Sequence, residues 1–234
     1  MRNPKEMYVD GEYLIKNPTW DIEDSPWKAR QIMKIIEKNS LQPKSICEVG
    51  CGAGEILNQL YLKMDITCSF VGYEISPQAF DLCQQKTKER LQYHLGDLFV
   101  DEEATFDLVL AIDLIEHVED YFTFLENLRE KGRYFIFHIP LDLSVQTVLR
   151  SSTLVGGRES VGHIHYFTKE TALATLNDTG YRILDYFYTA GSIDLPAKHF
   201  KTLLARLPRR MFYKLNKDIA VRILGGYELL VLAA

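Results

Sequence analysis

The residues with the clearest chemical potential form a glycine-rich turn between a predicted strand and a predicted helix. The segment EVGCGAG, residues 48–54, ends an apolar run and leads into a helical pattern that begins at Glu55. Closely spaced glycines let a backbone turn tightly and approach a ligand without an intervening Cβ. The helix that follows presents free N–H groups at its N-terminus. The turn therefore predicts a ligand-binding loop, although a sharp strand-to-helix connection has the same pattern.

A carboxylate follows this turn at an informative spacing. Glu74 is predicted to end the second strand, 20 residues after Gly54, where a carboxylate can accept hydrogen bonds from a ribose diol. The dinucleotide fingerprint G-x-G-x-x-G requires a third glycine at the position of Glu55. The charge of Glu55 would repel a pyrophosphate but not a cationic ligand without phosphates. The pattern favours a nucleoside ligand of that second kind.

The elements that position these residues are predicted from alternating strand and helix patterns, which are typical of a parallel sheet with crossover helices. Helices are predicted to begin at Ser25-Pro26, Ser76-Pro77 and Thr168, because Ser and Thr suit the N-cap and Pro the first helical position. Gly180 can end the third helix. The predicted strands occupy residues 45–49, 69–73, 91–95, 106–112, 133–139, 182–189 and 227–233.

Two segments interrupt the alternation, and we expect both to be lid insertions within a single domain over residues 1–234. The first is 140–167, and the second is 190–226, which carries eight Lys and Arg against two Asp, a net charge of +6. Its cations alternate with apolar residues. This pattern predicts either a helical lid with a solvated basic face or a surface that attracts an anionic acceptor or an anionic membrane.

Composition excludes several classes of protein. Hydrophobic residues make up 47% of the 234 residues and charged residues 25%, which excludes a disordered chain. The net charge of −5 argues against nucleic-acid binding. Four cysteines without a CxxC pair predict reduced thiols in a cytoplasmic protein. The N-terminus lacks an apolar signal region, and the longest apolar run, 229–234, is too short to span a bilayer.

The order of these motifs resembles that of the class I S-adenosylmethionine-dependent methyltransferases. The glycine turn and Glu74 are followed by Gly96-Asp97 after the third strand and by DLIEHV, residues 113–118, after the fourth. The similarity is greatest to the small-molecule branch related to ubiquinone and menaquinone biosynthesis methyltransferases, over residues 20–189 and the final strand. The resemblance implies a Rossmann-like α/β fold, a seven-stranded mostly parallel sheet flanked by helices with an antiparallel last strand. It also implies S-adenosylmethionine as the cofactor.

The resemblance implies a role for each matching position. Glu48 would hold the methionyl amino group, Glu74 the ribose hydroxyls and Asp97 the adenine amino group, and all three ligand groups are hydrogen-bond donors. The structural alternatives are an Asp97 that caps a helix and a Glu74 that is solvated. The other predicted cofactor-binding residues are Gly50, Cys51, Gly52, Gly54, Ile75, Gly96, Leu98, Ile112, Asp113 and Leu114.

Three histidines are candidates for the acceptor side, where a base with a pKa near neutrality assists methyl transfer to oxygen or nitrogen. The resemblance places His163 over the acceptor pocket, so it is the first candidate for a base or an acceptor-orienting residue. His165 and His117 are the other two. A His-x-His metal site is disfavoured because no clear Asp or Cys partners accompany the pair, so no metal is expected. His138 is predicted to be a hydrogen-bonded core residue.

The segment that precedes the first strand, residues 1–40, is rich in aromatic residues. In the resembling family such residues cover the cofactor, and their rings can attract a cationic sulfonium. We therefore predict that Trp20 belongs to this cover. Trp27 is predicted to pack against the sheet instead.

Together, these features predict a methyltransferase that acts on a small molecule, with an oxygen acceptor slightly favoured. The basic segment allows an anionic or lipid-like acceptor, whereas no nucleic-acid partner is expected. The alternatives are an NAD(P)-dependent oxidoreductase, which would bind NADH, and a non-catalytic cofactor-binding protein, which would bind cofactor without turnover. The sequence indicates no oligomeric state.

Overall fold

A single seven-stranded sheet forms the centre of the described structure. The computed structural model describes residues 4–150, 152–196 and 200–234, without the side chains of residues 4, 5 and 200–205. The strand order is β3-β2-β1-β4-β5-β7-β6. The strands are β1 Ser45–Val49, β2 Ser69–Glu74, β3 Leu91–Leu95, β4 Phe106–Ile112, β5 Gly132–Pro140, β6 Ile183–Thr189 and β7 Glu228–Ala233. Each predicted strand is confirmed to within one residue at either end.

The first five strands run parallel, and β7 is antiparallel to both of its neighbours, β5 and β6. This arrangement confirms the Rossmann-like α/β fold with an antiparallel last strand. The order reverses at β1, which has β2 on one side and β4 on the other. Ligands of open α/β sheets bind beyond the carboxyl ends of the strands at such a reversal. The fold therefore places the glycine turn after β1 at a ligand-binding edge.

Helices cover both faces of the sheet. They are α1 Pro4–Val9, α2 Glu12–Lys16, α3 Ser25–Lys38, α4 Glu55–Tyr61, α5 Pro77–Cys83, α6 Tyr121–Leu128, α7 Val145–Leu149, α8 Ser152–Ser160, α9 Lys169–Asp178, α10 Gly191–Asp194, α11 Phe200–Leu215 and α12 Lys217–Leu224. One buried cluster joins a sheet face to α6, α9 and α12, and the second joins the other face to α3, α4 and α5. Helices α7 and α8 fall in the first predicted insertion and α10–α12 in the second.

Two of the three predicted helix caps are confirmed. The Ser76 hydroxyl accepts a hydrogen bond from the Ala79 amide at 3.4 Å, and Thr168 forms a reciprocal capping box with Thr171. The prediction that Ser25 is an N-cap is wrong. A 3-10 turn at Ile22–Asp24 runs directly into α3, so Ser25 is the first helical residue and Asp24 takes the capping position without a side-chain bond.

Candidate functional site

A cavity of about 400 Å³ opens beyond the carboxyl ends of β1, β4 and β5. Its wall includes seven carboxylates, one lysine and three histidines. The acidic residues are Asp21, Asp24, Glu48, Glu55, Asp113, Asp142 and Glu228, and the basic ones are Lys28, His117, His138 and His163. This excess of carboxylates favours ligands that carry positive charge or hydrogen-bond donors.

The glycine turn forms one wall of the cavity. Gly50, Gly52 and Gly54 have φ values of 67°, 53° and 72°, in the left-handed region that favours glycine. The Gly50 amide donates to the Tyr73 carbonyl at 2.8 Å, which ties the turn to β2. A Cβ on Gly52 would lie 2.8 Å from the Trp20 ring. Trp20 therefore packs over the turn, and no residue larger than glycine fits beneath its ring at position 52.

Glu74 is buried at the end of β2 rather than solvated, so that structural alternative is wrong. Its carboxylate accepts two backbone hydrogen bonds of 2.7 Å each, from the Gly52 and Ser76 amides. Burial raises its pKa, and these two bonds act in the opposite direction. A carboxylate has about four lone-pair directions, which leaves acceptor capacity beside the turn.

Glu48 lies at the end of β1 with 2% of its surface exposed. Its Oε2 atom has no hydrogen-bond partner among the described residues. Burial raises the pKa of this carboxyl, while the nearby Lys28 ammonium acts to lower it. Buried polar atoms are nearly always hydrogen-bonded. The unpartnered oxygen therefore marks a position where a ligand that donates hydrogen bonds would be stabilised.

Asp113 binds two basic residues at the end of β4. Its Oδ2 lies 2.7 Å from the Lys28 ammonium and its Oδ1 2.6 Å from His138 Nδ1. Burial acts to raise the pKa of Asp113, but His138 and Lys28 hold it well below its ordinary range. His138 Nε2 also contacts the Thr189 hydroxyl at 2.9 Å. The prediction that His138 is a hydrogen-bonded core residue is confirmed.

The remaining predicted cofactor residues divide into two groups. Cys51 and Ile112 line the cavity, and Leu114 packs on Gly50, where a Cβ would lie 2.8 Å from Leu114 Cδ1. The residues predicted to hold adenine lie outside this cavity. Asp97 caps a 3-10 turn by accepting a hydrogen bond from the Phe99 amide at 3.0 Å. Leu98 is fully buried in the core, whereas Ile75 is partly exposed. A Cβ atom on Gly96 would have no neighbour within 4 Å.

Of the three histidines predicted for the acceptor side, the structure brings His163 and His117 together and separates His165 from them. The His163 and His117 ring centroids are 4.9 Å apart, and both residues line the cavity. His163 Nδ1 lies 2.6 Å from the Asp142 carboxylate. His165 instead contacts the Glu119 carbonyl at 3.2 Å and the Tyr121 ring. His165 therefore does not line the cavity that holds the other two.

The hydrogen-bond partners of His117 and His163 define their tautomers. Because an ionised Asp142 can only accept, the Nδ1 atom of His163 carries the proton. The Tyr8 hydroxyl donates its proton to the Val161 carbonyl at 2.6 Å, so it can only accept a hydrogen bond from His117 Nδ1. The Gly162 carbonyl, 3.1 Å from the same nitrogen, can also only accept. The Nδ1 atom of His117 therefore carries the proton. In the neutral form of each ring, the Nε2 atom consequently keeps a lone pair. Burial and the neighbouring His163 lower the pKa of His117 to about 4.

Several of these site residues were not predicted from the sequence. Asp142 comes two residues after the end of β5, and the rule that singled out Glu74 at a strand end would also have indicated it. Tyr8 and Lys28 lie on helices before β1. The aromatic richness of residues 1–40 predicted a cover but not that Tyr8 would contact His117, and the sequence offered no signal for Lys28. Their positions depend on how the N-terminal helices pack across the sheet edge.

The basic segment 190–226 contributes Leu195 to the cavity wall. Arg209 points inward and donates to the carbonyls of Leu224 and Gly225 at 2.8 Å each. Apolar residues of α11 are exposed, among them Leu207 and Leu215. Lys198 and the side chain of Lys201 lie outside the described residues. Within the described part of the chain, no helix is long and apolar enough to cross a membrane.

A buried acid in the cavity wall gives a pH-dependent prediction. Glu228 accepts from the Thr189 hydroxyl and the Gly191 amide, and burial raises its pKa from 4.5 to about 7. The unfolded chain therefore loses the Glu228 proton at lower pH than the folded protein does. The free energy of unfolding consequently falls as pH rises from 4.5 to about 7. We expect Glu228→Gln to gain about 1–2 kcal/mol of unfolding free energy at pH 8 but not at pH 4. Urea titrations at both pH values measure this difference, and an equal effect at both would contradict it.

Comparison with known proteins identifies the family of the chain. The sequence model of a family described as a methyltransferase domain matches residues 26–186. The chain belongs to this methyltransferase family. The resemblance drawn from the sequence motifs is thereby confirmed. This assignment supports a methyltransferase domain over a nicotinamide-dependent oxidoreductase.

Similar proteins include methyltransferases with different acceptor atoms. The chain is 30% identical over 108 residues to norajmaline N-methyltransferase from Rauvolfia serpentina. This alignment covers 43% of this chain and 36% of the relative. It is 30% identical over 102 residues to the mitochondrial ubiquinone biosynthesis O-methyltransferase of Schizosaccharomyces pombe, 41% of this chain and 36% of the relative. The matches thus span about a third of each relative.

The fold is shared with solved methyltransferase structures. The N-methyltransferase NodS from Bradyrhizobium japonicum, solved in complex with S-adenosyl-L-homocysteine, superposes with a TM-score of 0.62 at 15% identity. The alignment covers 99% of this chain and 98% of NodS. At this identity the likeness concerns the fold alone.

Proposed function

We propose that the chain catalyses transfer of a methyl group from S-adenosylmethionine to a small-molecule acceptor. The observation that carries this proposal is the buried Glu48 carboxylate, which lacks a partner among the described residues and faces the same cavity as the glycine turn and the His163–Asp142 pair. One cavity thus offers a cradle for the cofactor and a base for the acceptor. When bound, the cofactor supplies an electrophilic methyl group on a cationic sulfur.

The residues of the cradle fit that cofactor. Glu48 would accept hydrogen bonds from its ammonium group, and Glu74 would accept from the ribose hydroxyls with the lone pairs that the backbone leaves free. Trp20 would cover the turn, where an aromatic ring attracts a cation. The surrounding carboxylates favour a positively charged ligand over a pyrophosphate. Asp97 and Ile75 would form the adenine end, beyond the described cavity, whereas the Leu98 side chain is buried in the core.

On the acceptor side, His163 would orient the acceptor or remove its proton. Its Nε2 lone pair is available because Asp142 holds the proton at Nδ1. The insertions 140–167 and 190–226 would act as lids, and residues 1–40 as a cover that excludes water. Methyl transfer needs little covalent help from the protein beyond such positioning and exclusion.

The proposal allows either oxygen or nitrogen as the acceptor atom. The similar proteins named above include both N- and O-methyltransferases. The slight preference for oxygen therefore stays a prediction. The carboxylates of the cavity favour an uncharged hydroxyl or an amine over an anionic acceptor. A role for the basic segment with anionic or lipid-like partners also stays a prediction.

Calorimetry followed by a turnover assay tests the proposal. The purified chain should bind S-adenosylhomocysteine but not NAD, and it should transfer a labelled methyl group to a component of a broad metabolite extract. Binding of NAD without binding of S-adenosylhomocysteine would favour the oxidoreductase alternative. Cofactor binding with no labelled product would favour the non-catalytic alternative.

Glu74 provides a specific test of the cradle. We expect Glu74→Ala to weaken binding of S-adenosylhomocysteine by about 1–3 kcal/mol, the usual scale for loss of charge-assisted hydrogen bonds. Calorimetry measures the change, with Glu103→Ala as a matched control because Glu103 is an exposed carboxylate. Unchanged affinity in Glu74→Ala would refute its role in ribose binding.

A further inference from the structure

Three side-chain atoms that can coordinate a metal ion lie close together beside the cavity. They belong to Glu116, His117 and His163, and all lie within 4.8 Å of one another. Glu116 Oε1 is 3.7 Å from His117 Nε2 and 4.0 Å from His163 Nε2. Glu116 is fully buried, and neither of its carboxylate oxygens has a hydrogen-bond partner among the described residues.

The three side chains turn electron-pair donors toward one another. In each neutral ring the Nδ1 atom holds the proton, so the Nε2 atom offers a lone pair on the side of Glu116. The separations of 3.7 and 4.0 Å are too long for direct hydrogen bonds to Glu116. The cluster therefore consists of three electron-pair donors that face one another across a small gap. Such a buried arrangement favours a cation in the gap, either a proton or a metal ion.

We infer that Glu116, His117 and His163 form a binding site for a divalent transition-metal ion. Two imidazoles and one carboxylate are the ligand set of many catalytic zinc sites, which use three protein ligands and leave a position open. Imidazole ligands also suit iron, cobalt and manganese in some sites, whereas magnesium and calcium prefer oxygen donors. Metal–ligand bonds of about 2.0–2.2 Å require ligand atoms about 3.0–3.5 Å apart, so the Glu116–histidine separations of 3.7 and 4.0 Å would shorten by up to about 1 Å when an ion binds.

The hydrogen bonds around His117 and His163 resemble those around histidine ligands in metal sites. Histidine ligands usually donate their second N–H group to a carboxylate or a carbonyl, which fixes the ring and its tautomer. Here Asp142 accepts from His163, and the Gly162 carbonyl accepts from His117. Both rings are therefore oriented toward Glu116 without any ion. The sequence-based expectation of no metal considered His163 with His165, whereas the fold pairs His163 with His117 and Glu116.

The site would also narrow the chemistry of the acceptor, and this part rests on the proposed function. His117 and His163 line the cavity, so the open position would face the acceptor. A hydroxyl bound to the ion would have a lowered pKa and become a better nucleophile at neutral pH. With the ion bound, His163 is a ligand and the ion activates the acceptor. Without the ion, the same lone pair is free to act as the base.

Titration with Co²⁺ tests the site without any methyl transfer. The probe is the full chain, freed of any affinity tag and stripped with a chelator, with visible absorption and calorimetry as readouts. We expect one equivalent of Co²⁺ per chain, displaced by Zn²⁺. Glu116→Gln and His163→Gln should weaken binding by about tenfold or more, and Asp142→Asn by about 10–100-fold through the orientation of His163. His94→Gln is the control, because His94 is exposed on β3.

The outcomes separate the metal site from the proposed function. Absence of Co²⁺ and Zn²⁺ binding by the wild-type chain would overturn the site, as would equal affinity in Glu116→Gln and Asp142→Asn variants with wild-type circular dichroism. Thiolate-to-cobalt charge-transfer absorption would also overturn it by placing the ion on the buried cysteines. Saturable binding that depends on Glu116 and Asp142 would support the site even if no methyl acceptor were found.

Discussion

Replacing His163 with alanine is expected to reduce the turnover number for methyl transfer by about 10²–10⁴-fold, the range for loss of a positioned base. The physical reason is that His163 holds its reactive lone pair in the cavity only because Asp142 fixes the other nitrogen at 2.6 Å. The affinity for S-adenosylhomocysteine should stay nearly unchanged. Steady-state kinetics with the identified acceptor, together with calorimetry, measure both quantities.

Two further variants sharpen this test. Asp142→Asn keeps the shape of the side chain but removes its charge, so we expect a smaller loss and a shifted pH profile. His165→Ala should lose less activity than His163→Ala, because His165 contacts the Glu119 carbonyl instead of the cavity. A parental rate in His163→Ala would remove this residue from the acceptor side. A greater loss in His165→Ala would transfer the role to His165.

Replacing Gly54 with alanine is expected to destabilise the protein by about 2–5 kcal/mol, by adding left-handed backbone strain to overpacking. The φ of Gly54 is 72°, and a Cβ there would lie 2.6 Å from both Cys83 Cβ and Tyr93 Cε1. Tyr93 has little freedom to move, because its hydroxyl donates to the Gly54 carbonyl at 2.6 Å. Urea unfolding should show a lower midpoint with an unchanged slope. Cofactor affinity should fall as the turn shifts.

Gly157→Ala is the matched control for this prediction. Gly157 lies inside α8, and no heavy atom comes within 4 Å of its Cβ position. Alanine there should stabilise the protein by about 0.4–1 kcal/mol through reduced entropy of the unfolded chain. Wild-type stability and cofactor affinity in Gly54→Ala would show that the glycine turn does not have the described geometry.

Local patterns were sufficient for the sheet and for bringing the glycine turn, Glu48 and Glu74 to one of its edges. Strands of a parallel sheet are buried on both faces, so each appears as a short apolar run that ends where a turn begins. The glycine turn, Glu48 and Glu74 all lie at such strand ends, and the carboxyl ends of parallel strands meet at one edge. Their proximity therefore follows from the strand prediction alone. Ser25 shows the limit of local patterns. Its predicted role as an N-cap was wrong, because a 3-10 turn runs directly into the helix and makes Ser25 the first helical residue.

The acceptor side depended on packing between segments that are distant in sequence. His163 and His165 are equivalent by sequence spacing, yet the bond to Asp142 fixes one in the cavity and Tyr121 packs against the other. His117 receives its tautomer from Tyr8, which is 109 residues away. Glu116 becomes an unpartnered buried carboxylate only when the segment 161–165 folds over it. The sequence thus determined the sheet and the strand-end positions of the glycine turn, Glu48 and Glu74. Tertiary packing instead brought His117, His163 and Glu116 together, because long-range side-chain contacts have no period in the sequence.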